Sequence, residues 1–403
     1  MSAKSELHRT IQSHRFQLQT IGTTGTNGKS STTSMLSSIV RAAGEPYAEM
    51  TTLGSVVQNR KFEQQDRDLR FYKTIEAAIQ QQVKTLCLEI TSQALMQGFA
   101  KKWPSQVGIF TNLTLDHLDI HKSPEHYLAS KAQLFTHLPP AGTAILNADD
   151  AASYLIEEVV PSYCSIRWYS LTHPTADLAA STVTLSTQGT NISLHPSPLA
   201  DEFEGKLALQ AVGKVFAYNA LGAGLGALAL GYSPSVIKAG LQAWKPLKGR
   251  FEIVHHSPLV IIDYAHTPDG LKNTLEAAEE LKETGELFCI FGCGGNREQS
   301  KRSKMGIIAE RLADRIIVTS DNPRHESNEQ IVREIMMRIK HPHKWRILHD
   351  RKDAILAALV EAASADIILI AGKGHETTQS ISGREFAFSD HQIVSDFYTE
   401  QSQ

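Results

Sequence analysis

Residues Thr20-Ile21-Gly22-Thr23-Thr24-Gly25-Thr26-Asn27-Gly28-Lys29-Ser30-Ser31 join a β-rich lead-in, Phe16 to Ile21, to a helical pattern running from Thr32 to Ala42. A glycine-rich loop that opens a helix lets backbone N–H groups wrap a polyphosphate where the helix dipole is positive. Thr24, Gly25, Thr26, Asn27, Gly28, Lys29, Ser30 and Ser31 are the candidate phosphate-binding residues. The Lys29 ammonium is placed to reach terminal phosphates, and the Ser30 hydroxyl suits Mg²⁺. The general phosphate-loop pattern calls for glycine where Thr23 stands. The implied chemistry is nucleotide binding, with ATP and Mg²⁺ as the expected cofactors.

Further clusters follow buried strand patterns. Glu89-Ile90-Thr91-Ser92-Gln93 puts a carboxylate at a strand's C-terminal end, where ligands bind in open parallel sheets. Alone, such a glutamate is more often a helix cap or a surface charge. The run Asn112-Leu113-Thr114-Leu115-Asp116-His117-Leu118-Asp119-Ile120-His121 offers carboxylate and imidazole ligands, or else a polar turn around a satisfied histidine. Lys131, in Ser130-Lys131-Ala132-Gln133, reads by itself as an ordinary solvated lysine. Later in the chain, Asp263-Tyr264-Ala265-His266, Gly292-Cys293-Gly294-Gly295-Asn296-Arg297, Asp321-Asn322-Pro323-Arg324 and Gly372-Lys373-Gly374-His375-Glu376 each follow a strand pattern. Their convergence on one sheet edge would let Arg297 and Arg324 grip a carboxylate while Glu376 holds an ammonium group. Recognition of a zwitterionic amino acid requires that pairing.

These loops need a scaffold, and the rest of the sequence describes one. Strand-like runs at Thr85–Ile90, Val107–Phe110, Thr143–Leu146, Leu259–Asp263, Leu287–Phe291, Arg315–Val318 and Ile367–Ala371 alternate with helical patterns, giving an α/β class with parallel sheets. Helices are expected at Pro124–Leu138, capped by Ser123, and at Val215–Leu230 and Ser233–Trp244. Short alternating segments between Tyr163 and Leu209 suggest a small antiparallel appendage, about 163–210. A hinge-like stretch at Pro246-Leu247-Lys248-Gly249-Arg250 divides residues 1–246 from 247–403, and two α/β domains imply a cleft. Hydrophobic residues make up 41% of the chain and charged residues 21%, ordinary values for a soluble protein. A formal net charge of −3 gives no electrostatic footprint for nucleic acid or for an anionic membrane. The four cysteines form no metal-type cluster, Met1 to Thr10 has no apolar signal region, and Ala220–Leu230 is too short to span a bilayer. The expectation is a cytoplasmic enzyme acting on small molecules, with no signal for an oligomeric state.

Taken together, these motifs resemble the Mur ligase family, the ATP-dependent amide-forming enzymes of peptidoglycan assembly, from Gly22 to Asp396. The fold implied is a central P-loop ATPase domain followed by a Rossmann-like C-terminal domain. The branch most similar is the one adding the third peptide residue, the UDP-N-acetylmuramoyl-dipeptide:amino-acid ligases. The resemblance implies that Lys29 and Ser30 serve phosphate and a first Mg²⁺. It implies that Glu89 and His117 bind metal, and that Lys131 matches a lysine carbamylated in the family to organise metal. Asn112, Asn219, Arg250, Asp263 and His266 would hold the nucleotide. Arg297, Asp321, Asn322, Arg324, Gly372 and Glu376 would hold the incoming amino acid, the Asp-Asn-Pro-Arg form resembling the meso-diaminopimelate variant. Thr91 and Ser92 fall on the acyl-donor side. Amide formation would proceed through an acyl phosphate.

The sequence departs from the family in places. About twenty residues precede the phosphate loop, so the expectation is a ligase lacking the family's N-terminal UDP-sugar-binding domain. The segment that usually reads Glu-Val-Ser-Ser-His is Glu89-Ile90-Thr91-Ser92-Gln93, and no threonine-pair acceptor loop matches between Asn59 and Tyr72. The expectation is a repurposed ligase whose carboxylate donor is not UDP-linked, with Arg67 and Arg70 available for a second carboxylate or phosphate. A trimmed tripeptide synthetase, a folylpolyglutamate synthase-like ligase and a non-catalytic nucleotide-binding partner are the alternatives.

Overall fold

The computed structural model describes residues 18–62, 66–114 and 118–401. By contact the chain divides into two compact units. The first runs to Thr184 and takes in Thr190–Gln210 and Val215–Lys245; the second comprises Leu185–Gly189, Ala211–Lys214 and Pro246–Gln403.

The strands of the larger sheet, all but the ends of β9 and β10 in the first unit, are β1 (Gln19–Thr24), β2 (Tyr47–Thr51), β3 (Gly54–Val57), β4 (Arg60–Phe62), β5 (Thr85–Glu89), β6 (Val107–Phe110), β7 (Thr143–Asn147), β8 (Ser165–Ser170), β9 (Leu178–Ser186), β10 (Gly189–Leu194) and β11 (Lys206–Leu209). They form one sheet in the order β11-β10-β9-β8-β7-β6-β1-β5-β2-β3-β4. β1 lies between β5 and β6, parallel to both, with Thr23 opposite Glu89 and Thr24 opposite Phe110. The three strands therefore deliver their C-terminal loops side by side. All three are buried at nearly every position, β5 and β6 with mainly apolar side chains and β1 with threonines and a glycine around Ile21. One buried cluster joins Leu86, Leu88 and Phe110 of the sheet to Ile75 of the Arg67–Gln80 helix and Phe135 of the Pro124–Thr136 helix. Another helix, Lys29–Ala42, buries Met35, Leu36 and Ile39, and its Ser38 Oγ donates to Gly240 O at 2.8 Å on the Pro234–Ala243 helix. Each fully buried Leu, Ile or Phe contributes about 1.5–3 kcal/mol relative to exposure.

The segment expected as an antiparallel appendage is continuous with this sheet. β8 pairs in parallel with β7, and the start of β9 pairs in parallel with β8. Antiparallel pairing lies farther out, as between β10 and β11. Alternation along Ser165–Ser170 reports one solvated face, which says nothing of a partner's direction.

The second unit has β12 (Glu252–His256), β13 (Leu259–Asp263), β14 (Leu287–Phe291), β15 (Arg315–Val318), β16 (Trp345–Ile347) and β17 (Ile367–Ala371), in the order β12-β13-β17-β14-β15-β16. Only β12 runs antiparallel to its neighbour. A separate hairpin pairs β18 (Thr378–Ile381) with β19 (Arg384–Ala387). The loops after β13, β14, β15 and β17 all leave the same sheet edge, the position at which open α/β sheets bind ligands. Thr267 caps the Pro268–Leu281 helix through Gly270 N, with proline in the first turn.

A fully buried ion pair fixes the end of β17. Arg351 Nε and Nη2 donate to the two oxygens of Asp390, both at 2.8 Å, and Nη2 also donates to Ala371 O at 3.0 Å. Both side chains have no solvent exposure. Asp390→Ala leaves an uncompensated buried guanidinium and is expected to destabilise the protein by about 3–5 kcal/mol. Denaturant unfolding measures this; an unchanged midpoint would show that the pair is dispensable.

Candidate active site

In the first unit the loop after β1 turns into the Lys29–Ala42 helix with Gly28 as its N-cap at φ 84°, and no side chain caps the helix. The helix begins three residues before the expected Thr32, because Gly28 takes the left-handed conformation. Its first intrahelical bond is Thr32 N to Gly28 O at 2.9 Å, so the first-turn N–H groups face the loop mouth. Asn219, 3% exposed, sits against the turn: a Cβ on Gly28 would come within 2.4 Å of its Oδ1. Asn112 braces the loop from the end of β6. Its Oδ1 accepts from Asn27 N at 2.9 Å, its Nδ2 donates to Asn27 O at 3.1 Å, and its carbonyl accepts from Thr26 N at 2.9 Å. Lys29 Nζ donates to Thr26 O at 2.7 Å. Thr24 and Ser31 are buried at either end of the loop, and Thr24 O accepts from Thr111 N at 3.0 Å.

Glu89, at the end of β5, accepts from Ser30 Oγ at 2.7 Å and from Thr52 N at 2.9 Å, with Thr52 Oγ1 3.3 Å away. This oxygen-rich group lies beside the phosphate loop. Thr52 was not anticipated: a threonine pair does exist, but at Thr51-Thr52, ahead of the stretch in which none matched. A Thr-Thr doublet closing a short apolar strand was the available signal. Arg70 Nη2 lies 3.4 Å from Thr51 O, next to that doublet. Lys131 is not the solvated lysine its local sequence suggests. It is 1% exposed, its Nζ donates to Gly25 O at 2.5 Å and lies 4.1 Å from the Tyr127 ring centroid.

After β5, Thr91 caps the Ser92–Met96 helix through Ala94 N at 3.3 Å. Ser92 is buried, with its Oγ 2.9 Å from His121 Nε2. His117, a candidate metal ligand, and the side chain of Arg67 lie outside the described residues.

In the second unit, Asp263 ends β13. Burial pushes its carboxyl upward, opposed first by the charge of Arg250 and then by the Phe251 and Ala265 N–H groups and the Thr274 hydroxyl. Those donors lie at 2.7, 2.8 and 3.0 Å, so the carboxylate is bonded by the chain itself and ties Phe251 to the end of β13. The Arg250 guanidinium sits over the Tyr264 ring, 4.5 Å from its centroid. His266 Nδ1 is 2.9 Å from Tyr264 O, and Lys301 Nζ donates to His266 O at 2.8 Å. Burial, then Arg250, lowers the affinity of His375 for a proton.

The loops after β14, β15 and β17 form one polar cluster. Asn322 Nδ2 donates to Glu376 Oε2 at 2.9 Å, and Gly295 N donates to Asn322 O at 2.9 Å. Arg324 holds φ 53°, an uncommon conformation for a residue with a side chain, and its Nη1 donates to Gly295 O at 2.7 Å. Asp321 Oδ1 accepts from Asn322 N at 2.7 Å, while a Cβ on Gly372 would come within 2.7 Å of Asp321 Oδ2. Arg297 is exposed on the neighbouring loop, its Cγ near Gly294. Arg302, unanticipated, is fully buried; it pairs with Glu326 and Glu334, each at 2.8 Å, and steadies Gly294 O at 3.2 Å. The cluster thus presents guanidinium and carboxylate groups from fixed loops.

Among the described residues no group of three or more His, Cys, Asp or Glu could hold a metal ion. Ser30 and Glu89 nevertheless fit Mg²⁺, which takes one or two protein oxygens and completes its shell with water and phosphate. The uncapped helix start fits a polyphosphate. Removing the brace should loosen that fit: Asn112→Ala is expected to weaken ATP binding about tenfold, from the loss of two hydrogen bonds. Titration calorimetry with MgATP checks this, and an unchanged affinity would mean the loop holds its shape alone.

Comparison with known proteins gives the same architecture. Residues 23–227 match the Mur ligase middle domain, and 249–374 match the Mur ligase, glutamate ligase domain. A UDP-N-acetylmuramoyl-L-alanyl-D-glutamate--2,6-diaminopimelate ligase of Bacillus velezensis is 37% identical over 389 residues, 94% of this chain and 78% of the relative. A protein of the same name from Aquifex aeolicus is 37% identical over 386 residues, 94% of this chain and 77% of the relative. A solved structure of such a ligase superposes with a TM-score of 0.69 at 29% identity, covering 98% of this chain and 82% of the other. Mycobacterium tuberculosis folylpolyglutamate synthase, at 17% identity, TM-score 0.74 and coverage of 92% and 91%, shares the fold. No helix among the described residues is long and apolar enough to cross a membrane. By domain matches and by similarity over 94% of its length, this chain belongs to the Mur ligase family of ATP-dependent acid–amino-acid ligases.

Proposed function

We propose that this ligase joins a carboxylate donor to an amino acid resembling meso-diaminopimelate, through an acyl phosphate, and that the donor is not a UDP-linked muramoyl dipeptide. The observation that carries the amino-acid half is the polar cluster of Asn322, Arg324 and Glu376 on adjacent loops. A guanidinium for a carboxylate and a carboxylate for an ammonium suit the zwitterionic end of a diamino acid. The names of the relatives, which specify 2,6-diaminopimelate, support the same choice.

In the first step a donor carboxylate oxygen attacks the γ-phosphorus of ATP. The bond to the β,γ-bridging oxygen breaks, and ADP leaves with that electron pair. Lys29 and the first-turn N–H groups would stabilise the charge on the transferring group. Mg²⁺, held by Ser30 and Glu89, would supply further neutralisation there. The amine then attacks the acyl carbon, phosphate departs, and the amine proton is lost to give the amide. By the family resemblance, Lys131 would act as a carbamate formed from CO₂ with release of a proton. Its burial beside Gly25 O, at the phosphate loop, supports a role there.

The donor half rests on the Gln93 position in Glu89-Ile90-Thr91-Ser92-Gln93, on Ser92 facing His121, and on Arg70 beside Thr51-Thr52. Arg70 suits a second anionic group on a small donor. A cytoplasmic location goes with this reading. The test is phosphate release with MgATP over a matrix of amino acids and donors, each pair checked for product mass. Turnover with small carboxylates and diaminopimelate, and none with UDP-N-acetylmuramoyl-dipeptide, is the expected result. Turnover with the UDP-linked donor would overturn the donor half and make the chain a peptidoglycan tripeptide synthetase.

A further inference from the structure

We propose that Lys373 is a positioning residue for amino-acid recognition, holding Asn322 and Glu376 so that a single Glu376 oxygen faces the ligand's ammonium group. This deepens the amino-acid half of the reading above. Lys373 has 0% exposure, and a lysine so buried is costly unless paired. Its partners are the two side chains assigned to the ligand. Nζ donates to Asn322 Oδ1 at 3.0 Å and to Glu376 Oε2 at 2.8 Å.

The glycines on either side explain how the ammonium turns inward. Gly372 has φ 114°, a conformation closed to side chains, and the turn is closed by Glu376 N donating to Lys373 O at 3.0 Å. Asn322 Oδ1 receives a second bond, from Ser380 N at 3.0 Å. Two donors on Oδ1 fix the amide's orientation, since the flipped amide would set its NH₂ against an ammonium and an N–H. With the amide fixed, Nδ2 points to Glu376 Oε2 at 2.9 Å. Oε2 is thereby doubly bonded, while Oε1 has no partner among the described residues on a side chain 30% exposed. Lys373 is fully buried while Glu376 is partly exposed, so Oε1 is the oxygen left for a ligand's ammonium and Nζ stays within the protein.

The test is Lys373→Met, a volume-conserving change, compared with Glu376→Gln and the double variant in steady-state kinetics. Lys373→Met should raise the KM for the amino acid about 30-fold or more, the scale of breaking a buried charge pair, and leave the KM for ATP nearly unchanged. In the Glu376→Gln background the same change should add little, because both variants disable one arrangement. Should the Met variant not fold, Lys373→Arg keeps the charge without the geometry and should still raise the amino-acid KM selectively. Equal rises in both KM values, an unchanged amino-acid KM, or additive effects would each overturn the positioning role. A wild-type enzyme without amino-acid dependence would overturn the underlying reading as well; dependence in wild type with no change in the variants overturns this inference alone.

Discussion

The adjacency of β5, β1 and β6 is the constraint on which the first unit's chemistry depends. Parallel pairing in register places Thr23 beside Glu89 and Thr24 beside Phe110. Each strand then releases its loop at the same level. The phosphate loop leaves β1, the Glu89 carboxylate ends β5, and Thr111-Asn112 leaves β6 to brace the loop. Ser30 reaches Glu89 because the helix starts at Lys29, one turn closer than its apolar pattern suggests. Residues distant in sequence meet here through backbone geometry, with the hydrophobic core behind them holding the register.

The second unit uses the same edge rule with a different polar economy. Its site side chains are bonded to one another and to backbone groups of neighbouring loops, and Arg302 and Arg351 sit fully buried beneath them. Buried charges are tolerated because each is paired. The result brings the Arg324 guanidinium, the Asn322 amide and the Glu376 carboxylate together on loops bonded to one another. Asp263 contributes by accepting bonds from Phe251, Ala265 and Thr274 within the unit.

Much of this was legible in the sequence where burial leaves a plain signature. Leu287–Phe291 and Ile367–Ala371 are apolar at nearly every position and are strands with those bounds. Ser123 and Pro124 mark a helix start that the structure keeps. Less legible were short strands with mixed polarity, such as Arg384–Ala387, whose residues are all exposed. The direction of β8 was illegible for a similar reason, since alternation records exposure and carries no information on the partner. At the sites, loops with glycine and charge stood out, but Thr52 and Arg302 did not, and Lys373, inside a motif that did, carried no role of its own. Their significance lies in what they touch across the fold: Glu89, Gly294 and Asn322. Lys131 shows the same limit. Its neighbours along the helix describe a surface residue, and only packing against Gly25 and Tyr127 reveals burial.

The central chemical claim is that the donor is activated by phosphorylation before the amine reacts. Positional isotope exchange tests it directly, using ATP labelled with ¹⁸O at the β,γ bridge and the donor identified by turnover, with no amino acid present. Reversible acyl phosphate formation predicts that label moves from the bridge to the β-nonbridging positions, only when donor and Mg²⁺ are both supplied. Turnover of the complete mixture without any donor-dependent scrambling, or scrambling that requires the amino acid, would contradict the account.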